Sequence, residues 1–242
     1  MNKIPVIEIF GPTIQGEGMA MGKKTMFVRT AGCDYSCAWC DSKFTWDGSV
    51  KEEIVQMTAL EIWKKLKAHG GDRFSHVTLS GGNPGLYKQI ADLVKILQEN
   101  DIEIALETQG SRWQDWFLHI DDLTISPKPP SSKMRVDFDI LDEIIDKLLN
   151  NKRLRHTSLK IVIFNDKDLQ FAKQVTQRYP LIPLYLQVGN EDLDQSDNDQ
   201  LTRQLLNAYE WLIRQTMAEK ALNHARVLPQ MHALVWGNRR GV

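Results

Sequence analysis

The sequence predicts an α/β protein built as an open, partial (β/α)6 barrel, and three observations carry that expectation. Short apolar strands alternate with amphipathic helices from residue 26 onward, the pattern of a parallel sheet covered by helices. Six such strands can be counted, at 26–30, 76–80, 102–108, 122–126, 158–164 and 184–189, fewer than the eight that close a barrel of about 250 residues. Most of these strands run into a polar, glycine-rich or cysteine-rich segment, and chemistry in parallel sheets sits at the carboxyl ends of the strands. A flat, doubly wound sheet has the same periodicity and remains the alternative.

Taken in order, residues 1–25 read as an extension, with "FGPTIQGEG" (10–18) as a glycine-rich loop. "MFVRT" (26–30) is the first strand and leads straight into "AGCDYSCAWCDS". A helix follows at 58–71, opened by a Thr58/Glu61 capping box and stopped by Gly70-Gly71. Ala59, Ile62, Trp63 and Leu66 form its apolar stripe. The second strand ends in "GGNP", the third in "TQG", the fourth in "PKPPSSK" and the sixth in "QVGN". Between them lie helices with stripes Ile90/Leu93/Val94/Leu97 and Leu141/Ile144/Ile145/Leu148, then one at 166–178 and a long one at 200–217. No linker or low-complexity stretch divides the chain. One domain is expected, with the core barrel at 26–190 and a C-terminal helix and tail at 191–242 closing the site.

The 242 residues are 42% hydrophobic and 25% charged, with a net charge of −1. That balance argues against a nucleic-acid or membrane-surface partner. No apolar run reaches the roughly 18 residues that span a bilayer, and no signal-peptide core precedes the first strand. A cytoplasmic location is expected. In a reducing compartment clustered cysteines point to metal or redox chemistry rather than a disulfide.

The three cysteines of the chain, Cys33, Cys37 and Cys40, all fall in "CDYSCAWC". Three thiolates on one loop can hold three irons of a [4Fe–4S] cube, one fewer than an ordinary four-cysteine cluster uses. The open iron then needs another ligand. A structural Cys3His zinc site competes, although the nearest histidine in sequence is His69. A non-catalytic metal-binding module is therefore the alternative from another functional class.

The Cys-x3-Cys-x2-Cys spacing, with Trp39 before the last cysteine, resembles the signature of the radical S-adenosylmethionine (SAM) enzymes. The resemblance implies that SAM chelates the fourth iron and is cleaved to a deoxyadenosyl radical, with Trp39, Cys40 and Asp41 near the cofactor. "LSGGNPGL" (79–86) is similar to that family's "GGEP" stretch, with Asn83 in place of glutamate. It implies that the backbone of Gly81 and Gly82 binds SAM, the two glycines allowing close approach. "ISPKPP" implies SAM contacts from Ser126, Pro127 and Lys128, and "LQVGN" from Gln187, Val188, Gly189 and Asn190.

"FGPTIQGEG", Arg29 and "ISPKPP" together are similar to one family within that group, the 7-carboxy-7-deazaguanine synthases. That implies contraction of the ring of 6-carboxy-5,6,7,8-tetrahydropterin with loss of ammonia, SAM being regenerated and Mg2+ required, in queuosine and deazapurine biosynthesis. It further implies a homodimer and a flavodoxin- or ferredoxin-type reductant. The guanidine-like edge of a pterin suits Glu17, Gln15 and the Ile14 and Gly16 backbone. A substrate carboxylate suits the planar fork of Arg29. Ser42, two positions past the last cysteine, is the expected Mg2+ ligand. Ser80 and His232 are further substrate candidates, and the apolar, basic tail is expected to close over the site. A glycyl-radical activase shares the cysteines and is the rival among enzymes; it would consume SAM.

Overall fold

Alternating side-chain direction along single strands sets the architecture. The computed structural model describes residues 2–242. The apolar segments of the sequence form β2 (Lys24–Thr30), β4 (His76–Gly81), β5 (Glu103–Thr108), β6 (Asp122–Ile125), β7 (Thr157–Ile163) and β8 (Leu184–Val188). They pair in that order, each parallel to the next. Along β7, Leu159, Ile161 and Ile163 belong to the hydrophobic core, whereas Lys160 and Val162 face a central cavity. On β2, Met26 and Val28 enter the core while Phe27 and Arg29 line the cavity. The period of two thus separates a helix-facing layer from a cavity-facing one.

The helices that cover the sheet are α1 (Ala59–Gly70), α2 (Ile90–Glu99), α3 (Phe138–Asn150), α4 (Asp166–Arg178) and α5 (Asn198–Met217). The Thr58 hydroxyl accepts from the Glu61 amide while Glu61 accepts from the Thr58 amide, so the expected capping box is complete. The stripes of α2 and α3 are buried as the sequence implies. Trp63 on α1 is only half-buried; it packs edge-on to Phe74 and lies beneath the Lys67 ammonium.

Among the described residues the sheet has nine strands in the order β3-β1-β2-β4-β5-β6-β7-β8-β9, and its two edge strands do not meet. The barrel is open. Three strands were not evident in the sequence. β1 (Ile4–Ile14) runs antiparallel to β2, so residues 10–14 are strand rather than loop. Its two register shifts, between Val6 and Glu8 and between Phe10 and Thr13, break the period that would have marked it. β3 (Val55–Met57) and β9 (Arg226–Leu228) are edge strands of three residues each, too short to leave a pattern. A short helix, α6 (Met231–Trp236), follows β9 and packs on α5. The aromatics Trp211 and Trp236 are half-buried; the large exposed apolar side chains of this region are Leu206, Met217 and Val235. Among the described residues, no helix is long and apolar enough to cross a membrane.

Candidate active site

The segments that leave the carboxyl ends of the parallel strands converge on one cavity of about 370 Å³. Cys33, Cys37 and Cys40 form one side of it, on the loop after β2. All three are free and half-buried. Burial pushes each thiol's pKa up, for Cys37 to about 11, with the Lys128 ammonium opposing the rise there. Their sulfurs accept hydrogen bonds from the protein: Cys33 from the Tyr35 amide (3.4 Å) and the Gln109 side chain (3.5 Å), Cys40 from the Trp46 indole (3.4 Å).

This donor set fits an iron–sulfur cluster better than zinc. Tetrahedral Zn–S bonds of about 2.3 Å bring the thiolates to about 3.8 Å from one another. Among the described residues, the only trio of ligating atoms gathered within 4.8 Å is Glu17, Asp41 and His232, and the cysteines form no such group. A cube holds its cysteines farther apart, and N–H···S bonds of the kind seen here tune cluster sulfurs.

The base of the cysteine loop is fastened by the turn after β4. A Cβ on Gly81 would lie 2.2 Å from the Thr30 carbonyl oxygen, and one on Gly82 would lie 2.1 Å from that of Gly32. Both glycines also line the cavity, but what demands them is this packing of backbone on backbone. Asn83 is fully buried. Its amide donates to Asp34 (2.9 Å) and Ser111 (3.0 Å), and its carbonyl accepts from the Gly85 amide (3.0 Å) and the Thr108 hydroxyl (2.9 Å). Asp34 follows Cys33 directly. A glutamate at 83 would place a second carboxylate against Asp34, so asparagine is the residue this loop accommodates.

Along the same wall, the Trp39 indole donates to Ser131 (2.9 Å) and packs against Phe164, with ring centroids 5.1 Å apart. Lys128 donates to the Ser126 hydroxyl (3.1 Å) and lies 5.9 Å from the Trp39 ring. Asp41, Ser126, Lys128 and Asn190 line the cavity; Pro127, Gln187, Val188 and Gly189 do not. Gly189 is instead needed for packing, since a Cβ there would strike the Phe164 ring at 2.1 Å. Gln187 and Val188 end β8 and Gly189 follows it; all three are buried, and the Gln187 side-chain amide has no protein partner.

The rest of the lining is largely polar and charged. Ile14, Gln15, Gly16 and Glu17 belong to it, together with Arg29, Ser80 and His232. The Ser80 hydroxyl is buried and without a protein partner. Glu17 pairs with Lys160 (2.5 Å) and accepts from the Gln230 amide (3.1 Å). Burial alone would raise the Glu17 pKa, but the Lys160 charge and then His232 outweigh it and hold it at about 2. Burial likewise disfavours the Lys160 ammonium, and Glu107 and Glu17 outweigh that, so its pKa is raised. Both groups therefore stay charged across the neutral range. The stability that Glu17 contributes is present above about pH 4.5 and lost as the pH falls toward 2. Gly16 is pressed on α6: a Cβ there would meet the His232 amide nitrogen at 2.8 Å.

Arg29 lines the cavity with part of its guanidinium already engaged. It donates to Glu8 (2.6 Å), and its guanidinium lies over Phe10 and Phe44. Glu8 is shared with Arg240, which also pairs with Glu53 (2.6 Å) and stacks on Phe44 at 4.1 Å. Gly237 to Val242 thereby line the cavity mouth. The Ser42 hydroxyl donates to Asp41 (3.0 Å), beside Glu17 and His232. Glu107, Gln109, Lys160, Phe164 and Gln230 also line the cavity, and the motifs had not singled them out. Lys160 left a signal, as a lone cation within an apolar strand; Gln230, brought in by the tail, left none.

The chain matches the Radical SAM superfamily profile over residues 27–183. It is 60% identical over 242 residues to 7-carboxy-7-deazaguanine synthase of Bacillus cereus, across the whole of both chains. It is 62% identical over 239 residues to 7-carboxy-7-deazaguanine synthase of Bacillus subtilis strain 168, covering 99% of this chain and 98% of that one. Among solved structures, a crystal structure of QueE from Escherichia coli shares the fold, with a TM-score of 0.70 at 21% identity over 95% of each chain.

Proposed function

The chain belongs to the radical SAM superfamily and, within it, to the 7-carboxy-7-deazaguanine synthases, and on that premise we propose how its residues perform the ring contraction of 6-carboxy-5,6,7,8-tetrahydropterin. The observation that carries the proposal is one cavity lined both by three free cysteines and by a Glu17–Lys160 ion pair that the half-buried Glu107 flanks. When bound, the cluster and SAM supply an organic radical that takes the hydrogen from the substrate carbon bearing the carboxylate, SAM being regenerated.

Cys33, Cys37 and Cys40 would hold three irons, leaving the fourth to SAM. Trp39, Phe164, Ser126, Lys128 and Asn190 form the wall against which the rest of SAM would lie. Glu17, with Gln15 and the Ile14 and Gly16 backbone, would accept from the donor-rich edge of the pterin, and Ser80 would supply a hydroxyl. Because Glu17 is ionised and desolvated, its bonds to that edge gain strength. The corner of Ser42 and Asp41 supplies oxygen ligands of the type Mg2+ takes, where the ion would reach the substrate carboxylate. The tail from Gly237 to Val242 limits the entry of water.

Arg29 would meet the same carboxylate with the donors that Glu8 leaves open, since a guanidinium carries five. Replacing Arg29 with alanine is expected to raise KM about 10- to 100-fold, the worth of one or two charge-assisted hydrogen bonds, with a smaller change in kcat. Steady-state kinetics checks this, and an unchanged KM removes Arg29 from the substrate site.

The coarser partners of the reaction are a small-molecule substrate and an electron donor; a flavodoxin- or ferredoxin-type protein is the donor we propose. A cytoplasmic location suits the unpaired cysteines. A homodimer belongs to the same reading, with Leu206 and Val235 offering exposed apolar surface on α5 and α6. The proposal is tested by anaerobic incubation of the reduced protein with SAM, Mg2+ and the carboxytetrahydropterin. The ultraviolet spectrum of the deazaguanine should appear, and more slowly without Mg2+. Cluster-loaded protein that forms no product contradicts the proposal.

A further inference from the structure

Lys160 sits on β7, and its side chain is 6% exposed yet lines the cavity. Its ammonium donates to Glu17 Oε2 at 2.5 Å and to Glu107 Oε1 at 3.3 Å. An ammonium has three donors. Among the described residues no third acceptor bonds it, and a buried donor without a partner is costly. The carboxylates beside it only accept. On the Glu17 side, this wall of the cavity therefore presents the two carboxylate oxygens and then the ammonium beside Oε2, in the order acceptor, acceptor, donor.

That order is the complement of a 2-amino-4-oxo pyrimidine edge, which offers an amino group and a ring N–H next to a carbonyl oxygen. We propose that Lys160 is a specificity-determining residue: it donates its third N–H to the 4-oxo oxygen of the pterin while a flanking carboxylate accepts from the ring N–H and 2-amino group. The inference rests on the substrate class proposed above and deepens it. Binding of the oxygen completes the ammonium's hydrogen bonds. A 2,4-diamino analogue would instead point a second amino donor at a buried cation, leaving both donors unpaired. A site built to bond a particular polar group rejects ligands lacking it far more strongly than an apolar pocket does.

The test uses the cluster-loaded enzyme with SAM and two non-reacting fluorescent ligands, 6-carboxypterin and 2,4-diaminopteridine-6-carboxylate, titrated by fluorescence. Wild type should bind the 4-oxo ligand at least about 100-fold more tightly. Lys160→Met should lower that ratio below about 10, and Lys160→Arg should retain most of it. A Lys160→Met protein with wild-type iron content and circular dichroism, and an unchanged ratio, overturns the inference. Should Lys160→Met fail to fold, the wild-type ratio decides: equal binding of the two ligands overturns the role of Lys160 alone. Binding of neither ligand overturns the pterin reading and this inference together.

Discussion

Cys37→Ala is expected to abolish turnover and to strip most of the iron from the anaerobically purified protein. Wild type should carry about four irons per chain, the content of one [4Fe–4S] cluster. In the cavity the three thiols are held as thiols by burial, Cys37 with a pKa of about 11. The metal must displace those protons, so the cluster forms only where the geometry gathers several sulfurs at once. Chain elements outside the loop fix it in place. Tyr35 donates its hydroxyl to the Arg135 carbonyl, Ala38 its amide to the Ser132 carbonyl, and Trp39 its indole to Ser131. With one sulfur gone, no other cysteine in the chain can substitute. Iron analysis and the brown absorbance check the result. An alanine variant with full iron and full turnover would remove Cys37 from the cluster.

The second large effect is expected at Asn83, away from any sulfur. Asn83→Asp loses the two bonds donated to Asp34 and Ser111. It also sets a carboxylate against Asp34 in a fully buried position. Asp34 is exposed and Ser111 half-buried, so the cost falls mainly on the new carboxylate, a charged group buried short of donors at about 1–3 kcal/mol or more, and the like charge adds to that. A loss of about 3–5 kcal/mol is expected, which at this chain length lowers Tm by roughly 6–20 °C. Because Asp34 adjoins Cys33, iron retention should fall as well. Asp34→Asn combined with Asn83→Asp exchanges donor and acceptor and should recover part of both, the sign of a direct coupling. Thermal unfolding and iron content of the three variants check this. A single Asn83→Asp variant as stable as wild type would show that the contact is not what secures the loop.

The parallel core and its helices were legible in the sequence because each strand is apolar over several residues and each covering helix keeps its stripe. The cysteine loop was legible because clustered thiols at fixed spacing have few other uses. What the sequence hid has physical causes. β1 carries two register shifts, so its apolar residues do not alternate cleanly. The pairing of Arg29 with Glu8 joins residues of adjacent antiparallel strands, and that of Glu17 with Lys160 spans 143 positions. Neither pairing leaves a local pattern. Lys160 stands out as a lone cation in an apolar strand, but that it and Glu107 face the cavity depends on the phase of each strand. Gly81 and Gly82 were evident as a turn, but their reason, the close packing of Thr30 and Gly32, is a tertiary contact. The Arg240 anchor of the tail is likewise invisible locally, since Glu8 lies 232 positions away.

The central claim is that the three-cysteine cavity uses SAM as a recycled cofactor to contract the ring of a carboxytetrahydropterin. The most direct measurement is the ratio of SAM consumed to deazaguanine formed over many turnovers, by chromatography of anaerobic reactions with the reduced enzyme. The account predicts many products per SAM lost. One SAM consumed per product, or SAM cleavage without any deazaguanine, would contradict it.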